Sequence, residues 1–225
     1  MGLISRGREV SRIESFSDAI FGFSATLLVV SLEVPEQFSD LIEDLKGFGA
    51  FGLSFLALVM IWVVHRSFFR RFPLDDKVIL LLNSILLFVV LFYVYPLKYV
   101  SIGMASVLFA MEAGGVQLES LAELGQLFML YSGGFFAIFL CVALMYRHAQ
   151  SKADEYEYTE KQRLQAMFYA RHYLLFCALA LVSIAIASGG IGLRYGAPGF
   201  IYALLGPISY AHVIYFQKRY GKFES

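Results

Sequence analysis

The residues with the most chemical promise lie in two short stretches, R-I-E-S-F-S-D at 12–18 and W-V-V-H-R at 62–66. Asp18 stands out because it borders an apolar run, and a carboxylate inside a bilayer costs roughly 2.5 kcal/mol or more on insertion scales. Such a group faces protein or water and has a partner. Trp62, His65 and Asn83 are polar groups at the same depth on neighbouring apolar runs, and Arg12 can bend in from the helix start. A buried structural network is the favoured reading over a proton-carrying site, because a single acid gives no relay. Other chemistries lack their residues. The chain has no H-E-x-x-H, no G-x-S-x-G and no Walker loop, and His65, His148, His172 and His212 lie on separate runs or loops without metal-ligand spacing. Cys141 and Cys177 sit inside apolar runs and read as packing residues. Neither an enzyme nor a resident metal or cofactor is indicated.

These groups need a scaffold, and the composition says what kind. The 225 residues are 59% hydrophobic and 16% charged, with a mean hydropathy of +0.67. A soluble domain of ordinary composition is about half apolar, so a single soluble globule is set aside, and 22 Phe with 14 Tyr exclude disorder. The net charge is zero, which argues against a nucleic-acid partner. Charges divide the chain into uncharged runs at 19–32, 47–65, 78–97, 124–146, 173–193 and 195–217. Roughly 20 apolar residues are needed to cross a hydrocarbon core. The last five runs reach or approach that length. The first does so if its helix begins near Val10 and carries Asp18 into the membrane boundary. The expected fold is all-α and integral to the membrane, one domain over residues 1–225 with six transmembrane helices. Residues 99–111, after Pro96, are too few to span alone and are expected to extend the third helix or lie in the interface. Asp18 interrupts the place where a signal peptide's apolar core would sit, so the first helix is expected to remain in the mature protein.

Orientation follows from Lys and Arg, which accumulate in cytoplasmic loops. With six spans, 15 of the 18 basic residues fall on one side, leaving Lys46, Lys98 and Arg194 for the other. Both termini are therefore expected in the cytoplasm. The opposite face carries eight acidic residues, which either gather cations at an external mouth or are simply solvated.

Span one has the most informative periodicity. Phe16, Ile20, Phe23, Leu27 and Val30 fall on one bulky line at 100° per residue. Ser15, Ala19, Gly22 and Thr26 form a small-residue stripe on one side of it, and Ser17, Ser24 and Ser31 a serine stripe on the other. Small and serine faces let helices approach closely, which suggests a central helix. The bulky line alone can equally face lipid, core or a pore. The Thr26 hydroxyl can equally bond the Gly22 carbonyl or meet ions and water.

Arg12, Phe16, Ser17 and Asp18 match R-x-x-x-F-S-D at the start of a first membrane helix. With the following A-T-L-L-V-V, and W-x-x-H-R from Trp62 to Arg66, the chain resembles a bacterial member of the lysosomal potassium channel family, transmembrane protein 175. The resemblance implies a potassium-permeable cation channel in the bacterial inner membrane. Its expected form is a homotetramer whose first helices line the pore, with no re-entrant filter and no cofactor beyond the permeant ions. In that family a branched aliphatic five residues after the motif Asp forms a hydrophobic constriction, and a Thr three residues further on adds a polar layer. Here those positions hold Phe23 and Thr26. Because Phe23 is aromatic, Leu27 and Val30 further along the bulky line are equal candidates for the narrow point. Arg12, Phe16, Ser17, Asp18, Trp62, His65 and Asn83 are assigned to the structural motif and network. The alternatives are a small secondary transporter, which would show several midplane ionisable groups, and a proton-conducting membrane protein.

Overall fold

The computed structural model of the chain describes residues 11–30, 38–109 and 120–221; the side chains of Val30, residues 38–48, residue 50 and residues 106–109 lie outside that description. Every regular element among the described residues is helical, in the order α1 (Arg12–Val30), α2 (Phe38–Arg71), α3 (Lys77–Phe109), α4 (Leu121–Ser151), α5 (Glu160–Ser188), α6 (Ala197–Phe200) and α7 (Leu205–Tyr220). Single 3-10 turns, Leu193–Tyr195 and Ile201–Leu204, flank α6 and make α6 and α7 one continuous segment. Five stretches are long and apolar enough to cross a membrane: Phe51–Arg71, Lys77–Ala105, Leu121–Ser151, Glu160–Ser188 and Ala197–Tyr220. They correspond to the last five expected spans. The sixth long helix, α1, has 19 residues and carries Arg12, Glu14 and Asp18 in its first two turns. Of the two expectations for residues 99–111, extension is what α3 shows: it runs through Pro96 to Phe109. The acidic groups of the expected external loops, apart from Glu123, fall outside the described side chains.

Helix starts are fixed by short polar side chains that accept from otherwise unbonded backbone N–H groups. Ser11 Oγ accepts from the Glu14 N–H at 3.2 Å and the Glu14 carboxylate accepts from the Ser11 N–H at 3.4 Å, a reciprocal capping box that opens α1. Thr159 and Gln162 repeat the box at α5, and Ser120 caps α4. At α3 the cap is Asp76, whose Oδ1 accepts from the N–H groups of Val78 and Ile79 at 2.9 and 3.0 Å. After α5 the chain reverses through Gly190, Gly192 and Gly196, all at positive φ. Gly192 is doubly constrained, since a Cβ there would stand 2.8 Å from the Ala197 Cβ.

The core lies among α2, α3, α4 and α5, with α4 and α5 the most extensively packed pair and α1 resting on α2 and α3. Aromatic rings fill one end of it. Phe68, Phe72 and Tyr146 are fully buried and meet edge to face, and Arg71 lies over the Tyr169 ring while donating to its hydroxyl at 3.0 Å. Elsewhere Ser183 donates to the Pro198 carbonyl and its oxygen lies 2.9 Å from Ser132 Oγ, which links α4, α5 and α6 through buried hydroxyls. Outward-facing Leu81, Phe88 and Phe92 on α3 are more than half exposed. Such a surface would be a liability in water and suits hydrocarbon.

Asp76 also reaches across to α4, where its Oδ2 lies 2.6 Å from His148 Nε2. Partial burial of Asp76 pushes its pKa upward, but the bond to His148, the two backbone N–H groups and the His148 charge outweigh that and hold it below the ordinary carboxylate value. A depressed pKa contributes stability that is present above the unfolded value near 3.8 and is lost as pH falls through the folded one. Asp76→Ala should therefore melt several degrees below the parent at pH 7, as losing a cap worth about 1 kcal/mol implies. The gap should narrow as pH falls below about 4. Thermal unfolding in detergent across that range checks both.

Candidate ion pathway along the first helix

Ser17 and Asp18 are adjacent in sequence but point about 100° apart on α1, so they meet different neighbours. Ser17 is fully buried. Its oxygen accepts from Asn83 Nδ2 on α3 at 3.0 Å and its hydroxyl donates to the Ile13 carbonyl at 2.8 Å. Asn83 Oδ1 in turn lies 2.7 Å from His65 Nε2 on α2. With Asn83 donating to Ser17, its carbonyl must accept, so His65 carries its proton on Nε2. The chain then runs in one sense, from His65 to Asn83 to Ser17 to the Ile13 carbonyl. It leaves His65 Nδ1 as a buried atom without a partner among the described residues. In this tautomer that atom is a bare acceptor, which is less costly to bury unpaired than an N–H. The chain ends on a main-chain carbonyl, which has no proton to pass on.

Asp18 belongs to a second, separate contact. Trp62 Nε1 donates to its Oδ1 at 2.7 Å, and Arg66 lies over the Trp62 ring at 5.3 Å. Of the partners expected for Asp18, the structure thus supplies Trp62, while His65 and Asn83 pair with Ser17, and Arg12 lies exposed in the first turn outside both contacts. Asp18 and Trp62 stand at one end of an open groove between α1 and α2, about 350 Å³ in volume and otherwise lined by Phe21, Gly22, Ala25, Phe55, Leu58 and Val59.

The faces of α1 differ sharply. Ser17, Phe21, Ser24 and Leu28 are buried against the rest of the chain. Phe16 and Phe23 are 60% and 55% exposed, Ile20 and Leu27 are half-buried against the core, and Val30 lies outside the described side chains. Ser15, Ala19, Gly22 and Thr26 are all exposed. The small-residue stripe was expected to press on a neighbouring helix. Among the described residues of one chain nothing covers it, and a Cβ on Gly22 would meet none of their atoms within 4 Å. Of the two readings for the Thr26 hydroxyl, the bond to the Gly22 carbonyl is present, at 3.0 Å.

Against known proteins, residues 12–93 match the family model described as the endosomal/lysosomal potassium channel TMEM175. That segment holds Arg12, the F-S-D residues, Trp62, His65 and Asn83. Over 216 residues the chain is 35% identical to a potassium channel of Marivirga tractuosa, covering 90% of this chain and 86% of that one. The chain belongs to the TMEM175 potassium channel family. A potassium channel of Chamaesiphon minutus is 28% identical over 80% of the chain and 89% of its own length. The crystallised potassium channel MtTMEM175, a point variant bound to a nanobody fusion, superposes with a TM-score of 0.80 at 32% identity, covering 99% of this chain and all of that one. As a TMEM175 member the chain is a multi-pass membrane protein of a channel family and not of an enzyme class, with bacterial relatives.

Three contacts were missed from sequence alone. S-x-x-E at Ser11 to Glu14 is a readable capping signature that overlaps the family motif. The Asp76 to His148 pair joins residues 72 apart and carries no local signal. The histidines were placed on separate elements without ligand spacing, yet the packing of α7 on α5 brings His172 Nδ1 to 3.2 Å from His212 Nδ1.

Proposed function

We propose that four copies of this chain form a channel for potassium and other monovalent cations in the bacterial inner membrane, with α1 of each lining the pore. The relatives are named as potassium channels. The observation that carries the reading is the two-sided character of α1. One face is anchored by Ser17, Phe21, Ser24 and Leu28, while Phe16, Ala19, Gly22, Phe23 and Thr26 are left uncovered by the described residues of their own chain. Phe23, Leu27 and Val30 supply successive apolar rings, and a closed apolar ring stops ions by dewetting. Thr26 supplies the polar layer. Donating its proton to the Gly22 carbonyl leaves the hydroxyl's lone pairs available to a cation. Asp18, tied to Trp62 on the groove side, and the Ser17, Asn83 and His65 chain hold α1 in place on this reading.

The test is flux from purified protein in potassium-loaded liposomes diluted into sodium medium, read by a proton-sensitive dye after addition of a protonophore. A channel discharges the potassium gradient passively, with a rate proportional to the gradient. Saturable exchange without net charge movement would favour the transporter instead.

A further inference from the structure

The most unusual group outside α1 is the histidine pair on the α5 and α7 surface. His172 and His212 are half-buried, with their Nδ1 atoms 3.2 Å apart. Two ring nitrogens bound to one tetrahedral ion at about 2.0–2.1 Å stand roughly 3.3 Å from each other. The rings are already held at that separation. Phe168, itself buried, stacks on both, with centroids 5.3 Å from His172 at 22° and 4.7 Å from His212 at 14°. On the far side of His172, Ser209 Oγ lies 3.4 Å from Nε2. Accepting the Nε2–H there leaves the lone pair on Nδ1, the arrangement in which an outer hydrogen bond orients a ligating imidazole.

We propose that His172 and His212 form a two-nitrogen site for a divalent transition-metal ion, Zn²⁺, Ni²⁺ or Cu²⁺, that ties α7 to α5. Imidazole nitrogens suit these ions over magnesium or calcium. In the empty pair one Nδ1–H donates to the other Nδ1. On binding, His212 moves its proton to Nε2, so both Nδ1 lone pairs face the ion and no proton is released. Among the described residues no third His, Cys, Asp or Glu completes a cluster, so the proposal takes water for the remaining positions, supplied from the polar end of α5 and α7 where exposed Arg171, Lys218 and Arg219 lie. Exposed Arg171, beside His172, opposes the ion. The site is therefore weaker than a four-ligand structural zinc site. Its consequence is local, because Ala197–Tyr220 is the least covered of the apolar stretches and this patch, with buried Phe216 against Phe168 at 5.1 Å, is where α7 is anchored.

The experiment uses the full-length protein in detergent at pH 7.5, with Zn²⁺ alone titrated by calorimetry and Cu²⁺ alone read by electron paramagnetic resonance. The expected result is one saturable Zn²⁺ site per chain. Its affinity falls about tenfold or more in His172→Gln and in His212→Gln, as loss of a ligand or its support implies, and is unchanged in His148→Ala. The parent Cu²⁺ spectrum shows coupling to two nitrogens, a readout that needs no variant. Absence of saturable binding, equal affinity in the His212→Gln variant, or a Cu²⁺ spectrum without two equivalent imidazoles would overturn the assignment.

Discussion

Asn83→Leu is expected to cost more stability than any other single change around α1. Asn83 is 1% exposed and bonds on both sides, at 2.7 Å to His65 and 3.0 Å to Ser17. Leucine has similar bulk, so the loss is electrostatic rather than a cavity. The His65 Nε2–H is stranded in a buried site, and moving the proton to Nδ1 gains nothing because that atom has no partner either. Hydrogen bonds between membrane helices average about 0.6 kcal/mol, whereas a stranded buried donor costs about 1–3 kcal/mol. The second effect dominates, and the sum is roughly 2–4 kcal/mol. Asp18→Ala should cost less, since it frees a Trp62 N–H that borders an open groove. Thermal unfolding and gel filtration of both variants check the order. An Asn83→Leu protein as stable and as well assembled as the parent would remove the anchoring role assigned to this network.

Much of the architecture was legible because hydrophobic run length reports on membrane spans almost directly. The uncharged runs at 78–97 and 124–146 lie inside α3 and α4. Which groups touch was legible only in part: Trp62 does meet Asp18, while His65 and Asn83 meet Ser17 instead. Asp18 looked like the hub because charge is conspicuous, but the inter-helical chain runs through its neutral neighbour Ser17, and one helical step decides which of the two reaches α3. The small-residue stripe was legible as a face for close approach, yet periodicity does not say whether the approaching helix belongs to the same chain. The His172 and His212 pair depends on the register of α7 on α5, and 40 intervening residues hide it. Extension of the third helix past Pro96, one of the two expectations for residues 99–111, is what α3 shows as far as Phe109.

The second large effect concerns conduction. If four α1 helices surround an axis, Phe23, Leu27 and Val30 form three rings about one turn, or roughly 5 Å, apart. Leu27 is the expected narrowest point and Phe23 the next, because the exposed Phe23 ring can swing into the open space beside Gly22 on an adjacent helix. Replacing the narrow ring with alanine widens it and lets water persist inside, which lowers the dewetting barrier. Leu27→Ala should raise potassium conductance several-fold and weaken discrimination against sodium, with Phe23→Ala following to a smaller degree. Leu81→Ala supplies the control, since Leu81 is 61% exposed but lies on α3 and not on the helix proposed to line the pore. The decisive measurement is the single-channel current of these proteins in planar bilayers under matched potassium gradients. Larger currents in Leu27→Ala and Phe23→Ala, with Leu81→Ala indistinguishable from the parent, are the predicted result; equal currents in all four proteins would contradict a pore lined by α1.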